Sequence, residues 1–388
     1  MSGGPLTHLR IVEFAGIGPA PFAGMLLSDL GAEVIRIDRH DAPPPDPGYR
    51  VLARGRQSIA LNLKNPQALP VIERLVARSD ALIEGFRPGV MERLGLGPQA
   101  LFARHPKLVF GRVTGWGQHG PLSQAAGHDL NYIALTGLLN AMGPRNGPPI
   151  APLNLLGDFA GGGMLLAFGV LAAICEAQRS GRGQIVDAAM VDGASLLGSL
   201  IWGMRSGGWW RNPRGENLLD GGAHFYGVFE CSDGKWISLA AIEPQFYAQL
   251  LQELDLDPAG HGAQMDARTW PAMRETIAAR VRHRTRDEWS ARFEGKDICF
   301  APVLNFDEAL SHPHNRERGS FQQESGVAYP APAPRFSRTP ATAGSLSGKP
   351  GGDTRAVLER LGFAAREIDT LLASGAATAT AGGNSGEK

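Results

Sequence analysis

The 388 residues are too many for one small core and point to about two domains. With 43% hydrophobic and 20% charged residues the composition is that of a soluble globular protein, and 38 Lys and Arg balance 38 Asp and Glu. That balance excludes an overall basic field drawing in nucleic acid or an anionic membrane, so a phosphate-bearing ligand has to be held by a local cluster of cations.

In chain order, "RIVEF", "EVIRID", "SIALNLK", "ALIEGF" and "LVFGRVTGW" read as strands, with "PFAGMLLSDLG" and "ALPVIERLVARSD" as helices between them. Such alternation predicts an α/β fold with a parallel sheet and crossover helices. Helices are expected over 129–139 and 158–179, and the apolar run "MLLAFGVLAAIC" (164–175) inside the second is too short to span a bilayer. "IVDAAMVDGASLL" opens as a strand and passes into a helix extending toward Trp209. After "PRGENLLDGGA", a hairpin in "FYGVFECSDGKWISLAAI" and the helix "PQFYAQLLQELDL" begin a smaller α+β unit. The expected organisation is a large Rossmann-like domain over 1–200 completed by about 325–365, a linker 201–224, a small domain 225–315 and a disordered tail 374–388. Cys175, Cys231 and Cys299 are scattered without CxxC spacing, against a disulfide framework or a zinc site. The opening "MSGGPLTHLR" lacks the apolar core of a signal peptide and the ending "NSGEK" lacks a peroxisomal address, so a cytoplasmic setting is expected.

"GIGPAP" (16–21) follows the first strand as a dinucleotide loop would, and Asp38 ends the next strand where a ribose-binding carboxylate belongs. Pro21 replaces the third glycine of that fingerprint, and Pro19 intervenes, which damages a pyrophosphate cradle while still permitting a helix start. A different phosphate ligand fits better. Arg36, Arg39, Lys64, Arg87, Arg93 and Arg112 lie near the ends of successive strands, where open α/β sheets bind ligands. Arg36 and Arg112 are expected to be solvated surface charges instead.

Three further groups are chemical candidates. His128 and Asp129 in "GHDLNY" stand at a loop-to-helix boundary, Asp158 in "PLNLLGDFAGGG" opens an apolar helix, and Glu243 in "AAIEPQFY" closes an apolar run before Pro244. Each also has a plain reading, as a structural histidine, an N-cap and a strand-end residue. Gly161, Gly162 and Gly163 allow a backbone or a ligand to come close. Neither hydrolase-triad spacing, GxxxxGK[ST] nor HExxH occurs. The residues alone stop at an α/β protein with a phosphate ligand and a His/carboxylate site.

"VEFAGIGPAPFAGMLLSDLGAEVIRIDR", "GFRPGVMERLGLGP", "GHDLNYIALTG", "APLNLLGDFAGGG", "GRGQIVDAAMVDG", "NLLDGGA", "AIEPQFY" and "APAPRFSRTPA", in this order, resemble the family III CoA-transferase fold and, within it, the acyl-CoA racemase branch. The resemblance spans about residues 5–365. It implies an isomerase of lipid metabolism that inverts C2 of 2-methylacyl-CoA thioesters by two-base proton transfer through an enolate. No cofactor is implied, CoA being part of the substrate. By motif, His128 and Asp158 match the acid/base pair and Glu243 the carboxylate supporting the histidine. CoA falls to Ile17, Arg39, Leu61, Asn62, Leu63, Lys64, Gly85, Phe86, Arg87 and Arg93, and the acyl part to Gly127, Asp129, Leu130, Asn131 and Tyr132 along with His128. The family further implies an interlocked homodimer, with neither nucleic acid nor membrane as partner. Backbone N–H groups near Asp158 are the expected enolate donors. The competing branch is a CoA-transferase using Asp158 as nucleophile, and an inactive CoA-binding scaffold is a third reading. His128 and Glu243, and no four-glycine loop in the second half, favour the racemase branch. One departure is His224 in "DGGAHFY", where racemases commonly carry proline; it leaves the acyl specificity open.

Overall fold

The structure, a computed structural model, describes residues 3–257, 263–346 and 349–380. In chain order the strands are β1 (Arg10–Phe14), β2 (Glu33–Arg39), β3 (Gln57–Leu61), β4 (Ala81–Glu84), β5 (Val109–Thr114), β6 (Ile185–Ala189), β7 (Tyr226–Glu230), β8 (Trp236–Ala240), β9 (Phe300–Pro302), β10 (Phe321–Glu324), β11 (Val327–Pro330) and β12 (Ala377–Thr378). The described residues fall into two compact units, one from Met1–Thr136, Leu153–Leu197 and Ser320–Lys388, the other from Gly137–Pro152 and Gly198–Gly319.

The first unit holds a seven-stranded sheet in the order β12-β3-β2-β1-β4-β5-β6. All its pairings are parallel except that of β12, whose Ala377 and Thr378 run antiparallel to Leu61 and Ala60. The inner order 3-2-1-4-5-6 is the Rossmann order, which reverses direction between β1 and β4. Its strands are apolar on both faces because both are covered. Val12, Phe14, Leu82 and Phe110 enter one core with the Leu69–Val76 helix, while Ile11, Ile83, Val109 and Val113 enter another with the Pro19–Asp29 and Leu165–Ser180 helices. Such alternation follows from the two-residue period of a strand. The chain is thus an α/β protein with a Rossmann-like parallel sheet and a smaller α+β unit. In that second unit β7, β8 and β9 form an antiparallel sheet over a core around Phe225, Trp270 and Trp289.

Several expectations change. The helix expected over 129–139 ends at Ala134, and Leu138–Ala141 is a separate turn belonging to the second unit, entered through Gly137 at φ 82°. The helix expected from Asp158 starts earlier, as a π-helical stretch Leu155–Met164 that continues as an α-helix, Leu165–Ser180. The combined 26-residue helix contains an 18-residue window of mean hydropathy 1.8 and is long and apolar enough to cross a membrane by length and composition. Its inward side chains, among them Leu166, Val170 and Ile174, pack in the core shared with β5, whereas Phe168 is 71% exposed. The strand in "IVDAAMVDGASLL" is confined to β6 and gives way to the Met190–Leu197 helix. Of the tail expected to be disordered, 381–388 lie outside the described residues, while β12 is ordered on the sheet edge.

Arg36 and Arg112 are not surface charges. Arg36 is buried beside Asp38 (2.8 Å), whose carboxylate also accepts from Ser58 Oγ (2.5 Å). Arg112 is buried on β5 between Glu84 (2.7 Å) and Glu92 (2.8 Å). A guanidinium held in mid-sheet needs a carboxylate partner; Arg36, paired with Asp38, nonetheless lines a cavity that it shares with Ile17 and Arg39.

Candidate active site

At the switch point the chain leaves β1 through Ala15–Gly18 and enters the Pro19–Asp29 helix, with Pro19 in the first turn where its missing N–H costs nothing. Gly18 stands at φ 67° and ψ −116°, a conformation open to glycine, and donates its N–H to Tyr49 Oη (3.1 Å). A Cβ there would lie 2.9 Å from Asp158 Oδ2. Glycine is therefore required by both the turn and the carboxylate behind it.

Beyond the ends of β1, β4 and β5 lies a cavity of about 440 Å³, with Ile17, Arg87, Trp116, His128, Tyr132 and Asp158 among its walls. His128 is the N-cap of the Asp129–Ala134 helix, and its own N–H donates to Asn131 Oδ1 (3.0 Å). The backbone bonding leaves the exposed imidazole unspent on the cap. Asp129 turns inward, buried, and its Oδ1 accepts the Asp158 N–H (2.6 Å). Gly157 makes room for it, since a Cβ would fall 2.5 Å from that oxygen. Asp129 thus ties the helix after His128 to the π-helical stretch carrying Asp158.

Asp158 is half-buried, and burial raises its carboxyl above the ordinary value. The Asn154 amide, donating to Oδ2 (3.2 Å), opposes the rise, the Asp129 charge adds to it, and His128 opposes it. Such an upward shift eases proton exchange with a weak carbon acid. The π-helical winding follows from close backbone packing. A Cβ on Gly161 or Gly193 would strike the other segment's backbone, and Gly162 and Gly163 abut Pro19. The triple glycine therefore admits neighbouring helices, not a ligand. π-Helical turns are rare and frequent at functional sites. The expectation of enolate donors among the N–H groups near Asp158 is narrowed here by one. The Asp158 N–H is taken by Asp129, so it is not an enolate donor.

The positions expected to bind CoA divide. Ile17, 67% exposed, faces both this cavity and a second of about 510 Å³, which also takes in Arg39, Pro43, Pro44 and Pro45. Gly85, Phe86 and Arg87 line the first cavity; the Phe86 N–H donates to Glu84 Oε2 (2.6 Å) and its ring meets Phe14 edge-on. Arg39 is exposed and paired with Asp41 (2.8 Å). Gly127 and Tyr132 line the first cavity, with the Tyr132 hydroxyl on the Gly127 carbonyl and the ring edge-on to Trp116 at 4.8 Å. Leu61 and Leu63 pack into the core, Asn62 Oδ1 accepts from Lys64 N–H (3.1 Å), and Lys64, Arg93 and Leu130 are exposed. None of these, nor Asp129 or Asn131, lines either cavity. Glu243 belongs to the second unit, as the exposed N-cap of the Pro244–Glu253 helix. Tyr49 and Trp116 were not singled out from the sequence. Tyr49 touches both cavities and nothing in "DPGYRVL" announces it; Trp116 ends the strand-like run "LVFGRVTGW", two residues past β5, a position that could have been read.

The family described as CoA-transferase family III matches residues 6–354. Alpha-methylacyl-CoA racemase of Mus musculus is 46% identical over 365 residues, covering 94% of this chain and 95% of that protein. Its Homo sapiens counterpart is 44% identical over 372 residues, covering 94% and 96%. Among solved structures, a CAIB/BAIF family protein from Brucella suis superposes with a TM-score of 0.80 at 23% identity, over 92% of this chain and 100% of that one, a likeness of fold. The chain belongs to the family III CoA-transferases.

Proposed function

We propose that the protein is an isomerase that inverts C2 of 2-methylacyl-CoA thioesters by exchanging protons between His128 and Asp158. The observation that carries this reading is that both side chains face one cavity at the switch point, with the carboxyl of Asp158 raised by burial. The near identity in length and the 46% and 44% identity to two proteins named as such racemases support it.

The hydrogen at C2 is acidic because the thioester carbonyl accepts the charge as an enolate. One group removes it from one face and the other returns a proton to the opposite face, exchanging roles between enantiomers. Positioned acid–base groups contribute roughly 10²–10⁴-fold. Glu243 takes the part of the carboxylate that orients the imidazole and favours its charged form, as the third member of a triad does. The CoA moiety extends past Ile17 toward the second cavity and Arg39. No cofactor is called for, since the thioester supplies the electron sink. The working unit is an interlocked homodimer in the cytoplasm. Exposed apolar side chains in each unit, Leu135 and Phe168 in the first and Leu200 and Trp209 in the second, support a second copy as the partner.

Incubating one enantiomer of 2-methyldecanoyl-CoA in D₂O tests the reading. A racemic thioester carrying deuterium at C2 is expected. Retained configuration with retained hydrogen would overturn it, rapid CoA transfer to an added carboxylic acid would identify a transferase, and tight CoA binding with neither reaction a scaffold.

A further inference from the structure

His224 lines neither of the two cavities described above. It is 1% exposed, inside the second unit's core, edge-on to Phe225 at 5.0 Å. Its Nε2 lies 2.7 Å from the hydroxyl of Tyr247, itself buried against Phe225. Burial pushes the Tyr247 phenol up to about 12, so the hydroxyl stays protonated at neutral pH.

Tyr247 occupies the first turn of the helix capped by Glu243, and its N–H donates to the Glu243 carbonyl (3.0 Å). On the other side of Glu243, Gln264 Nε2 donates to the carbonyls of Ala241 (3.0 Å) and Ile242 (2.9 Å), while the Gln264 carbonyl accepts from Trp270 Nε1 (2.8 Å). The Glu243 backbone is therefore gripped before and after the residue. Its carboxylate makes no capping bond, unlike Thr285 and Asn305, whose side chains accept from Glu288 N–H (3.2 Å) and Glu308 N–H (2.9 Å) in the same unit. What the grip presents is an exposed carboxylate on a fixed mount. His224 reaches Tyr247 because the loop before it is knotted. The Asp220 carboxylate accepts from the N–H groups of Gly215 (2.9 Å), Asn217 (2.9 Å) and Gly222 (3.1 Å).

We propose that His224 and Tyr247 are positioning residues for Glu243: the imidazole–phenol hydrogen bond fixes the first turn of the Pro244–Glu253 helix and thereby the place from which the Glu243 carboxylate acts. The proposal rests on the catalytic reading of Glu243.

The test is a set of variants of the full-length protein assayed for C2 inversion with kcat and KM resolved. His224→Ala and Tyr247→Phe each lower kcat about tenfold with KM little changed, because small misplacements of a catalytic group act on the chemical step. His224→Gln, whose amide reaches the same hydroxyl, recovers most of the loss. In a Glu243→Gln background, His224→Ala adds nothing further, since coupled groups are not additive. A kcat unchanged in His224→Ala overturns the proposal, as does an equal loss with and without Glu243, which marks a general loosening of the fold. Full activity of Glu243→Gln alone instead defeats the catalytic reading of Glu243 itself, separately from the positioning claim.

Discussion

Gly18→Ala tests how tightly the opening loop and the carboxylate are fitted. The backbone at φ 67° and ψ −116° is essentially a glycine region, and holding alanine there costs about 1–3 kcal/mol. The new Cβ would lie 2.9 Å from Asp158 Oδ2 and 3.2 Å from its Cγ, well inside ordinary van der Waals contact. Either the loop shifts, straining the Gly18–Tyr49 bond, or the carboxylate moves by about half an ångström. Displacement of about 1 Å at a reacting group costs around a hundredfold, so half of it costs roughly tenfold in kcat. The expected result is a stable but slow enzyme, with a thermal midpoint lowered by about 1–6 °C. Racemisation in D₂O with kcat and KM resolved, beside a thermal melt, is the assay. A variant with wild-type kcat and an unshifted melt would refute the argument that this glycine is set by Asp158.

Asp158→Asn should lose inversion yet be more stable at neutral pH. Burial raises the Asp158 carboxyl above 3.8, so the folded state holds its proton longer than the unfolded chain. Stability from this group is then complete below the unfolded value and falls as pH rises toward the folded one, leaving a constant cost above it. The gain on substitution is present at pH 7 and vanishes near pH 3, which melts across that range measure; a loss of stability at pH 7 would contradict it. Glu13→Ala strands the buried Arg56 guanidinium, at a cost of about 3–5 kcal/mol in urea unfolding, and a loss below about 1 kcal/mol would show the pair to be dispensable. Arg39→Ala should leave stability within about 0.5 kcal/mol, because its side chain is 78% exposed and its pair with Asp41 is solvated. It should raise KM more at low salt than at high, with kcat unchanged; a fall in kcat alone would remove Arg39 from CoA binding.

The parallel sheet was legible because β1, β2, β4 and β5 are short apolar runs separated by helical ones. The pair proposed to exchange protons was legible through the motifs around His128 and Asp158, and the structure sets both on one cavity. What was not legible depends on partners distant in sequence. Arg112 reads as a surface cation until Glu84 and Glu92 close on it from residues 28 and 20 positions away. Asp129 reads as an acyl contact until folding brings the Asp158 N–H, 29 residues on, against it. The π-helical winding at 155–164 has no local code, because it answers to the Met190–Leu197 and Pro19–Asp29 helices pressed against its glycines. Tyr49 becomes visible only when the Asp46-capped turn swings it onto Gly18.

The central claim is that His128 and Asp158 address opposite faces of C2. It is tested most directly by following C2 hydrogen exchange of each pure enantiomer in D₂O with His128→Ala and Asp158→Asn. The account predicts that both variants lose inversion, that each still exchanges C2 of one enantiomer, and that the two variants exchange opposite enantiomers. Inversion surviving in either variant, or both variants exchanging the same enantiomer, would contradict it.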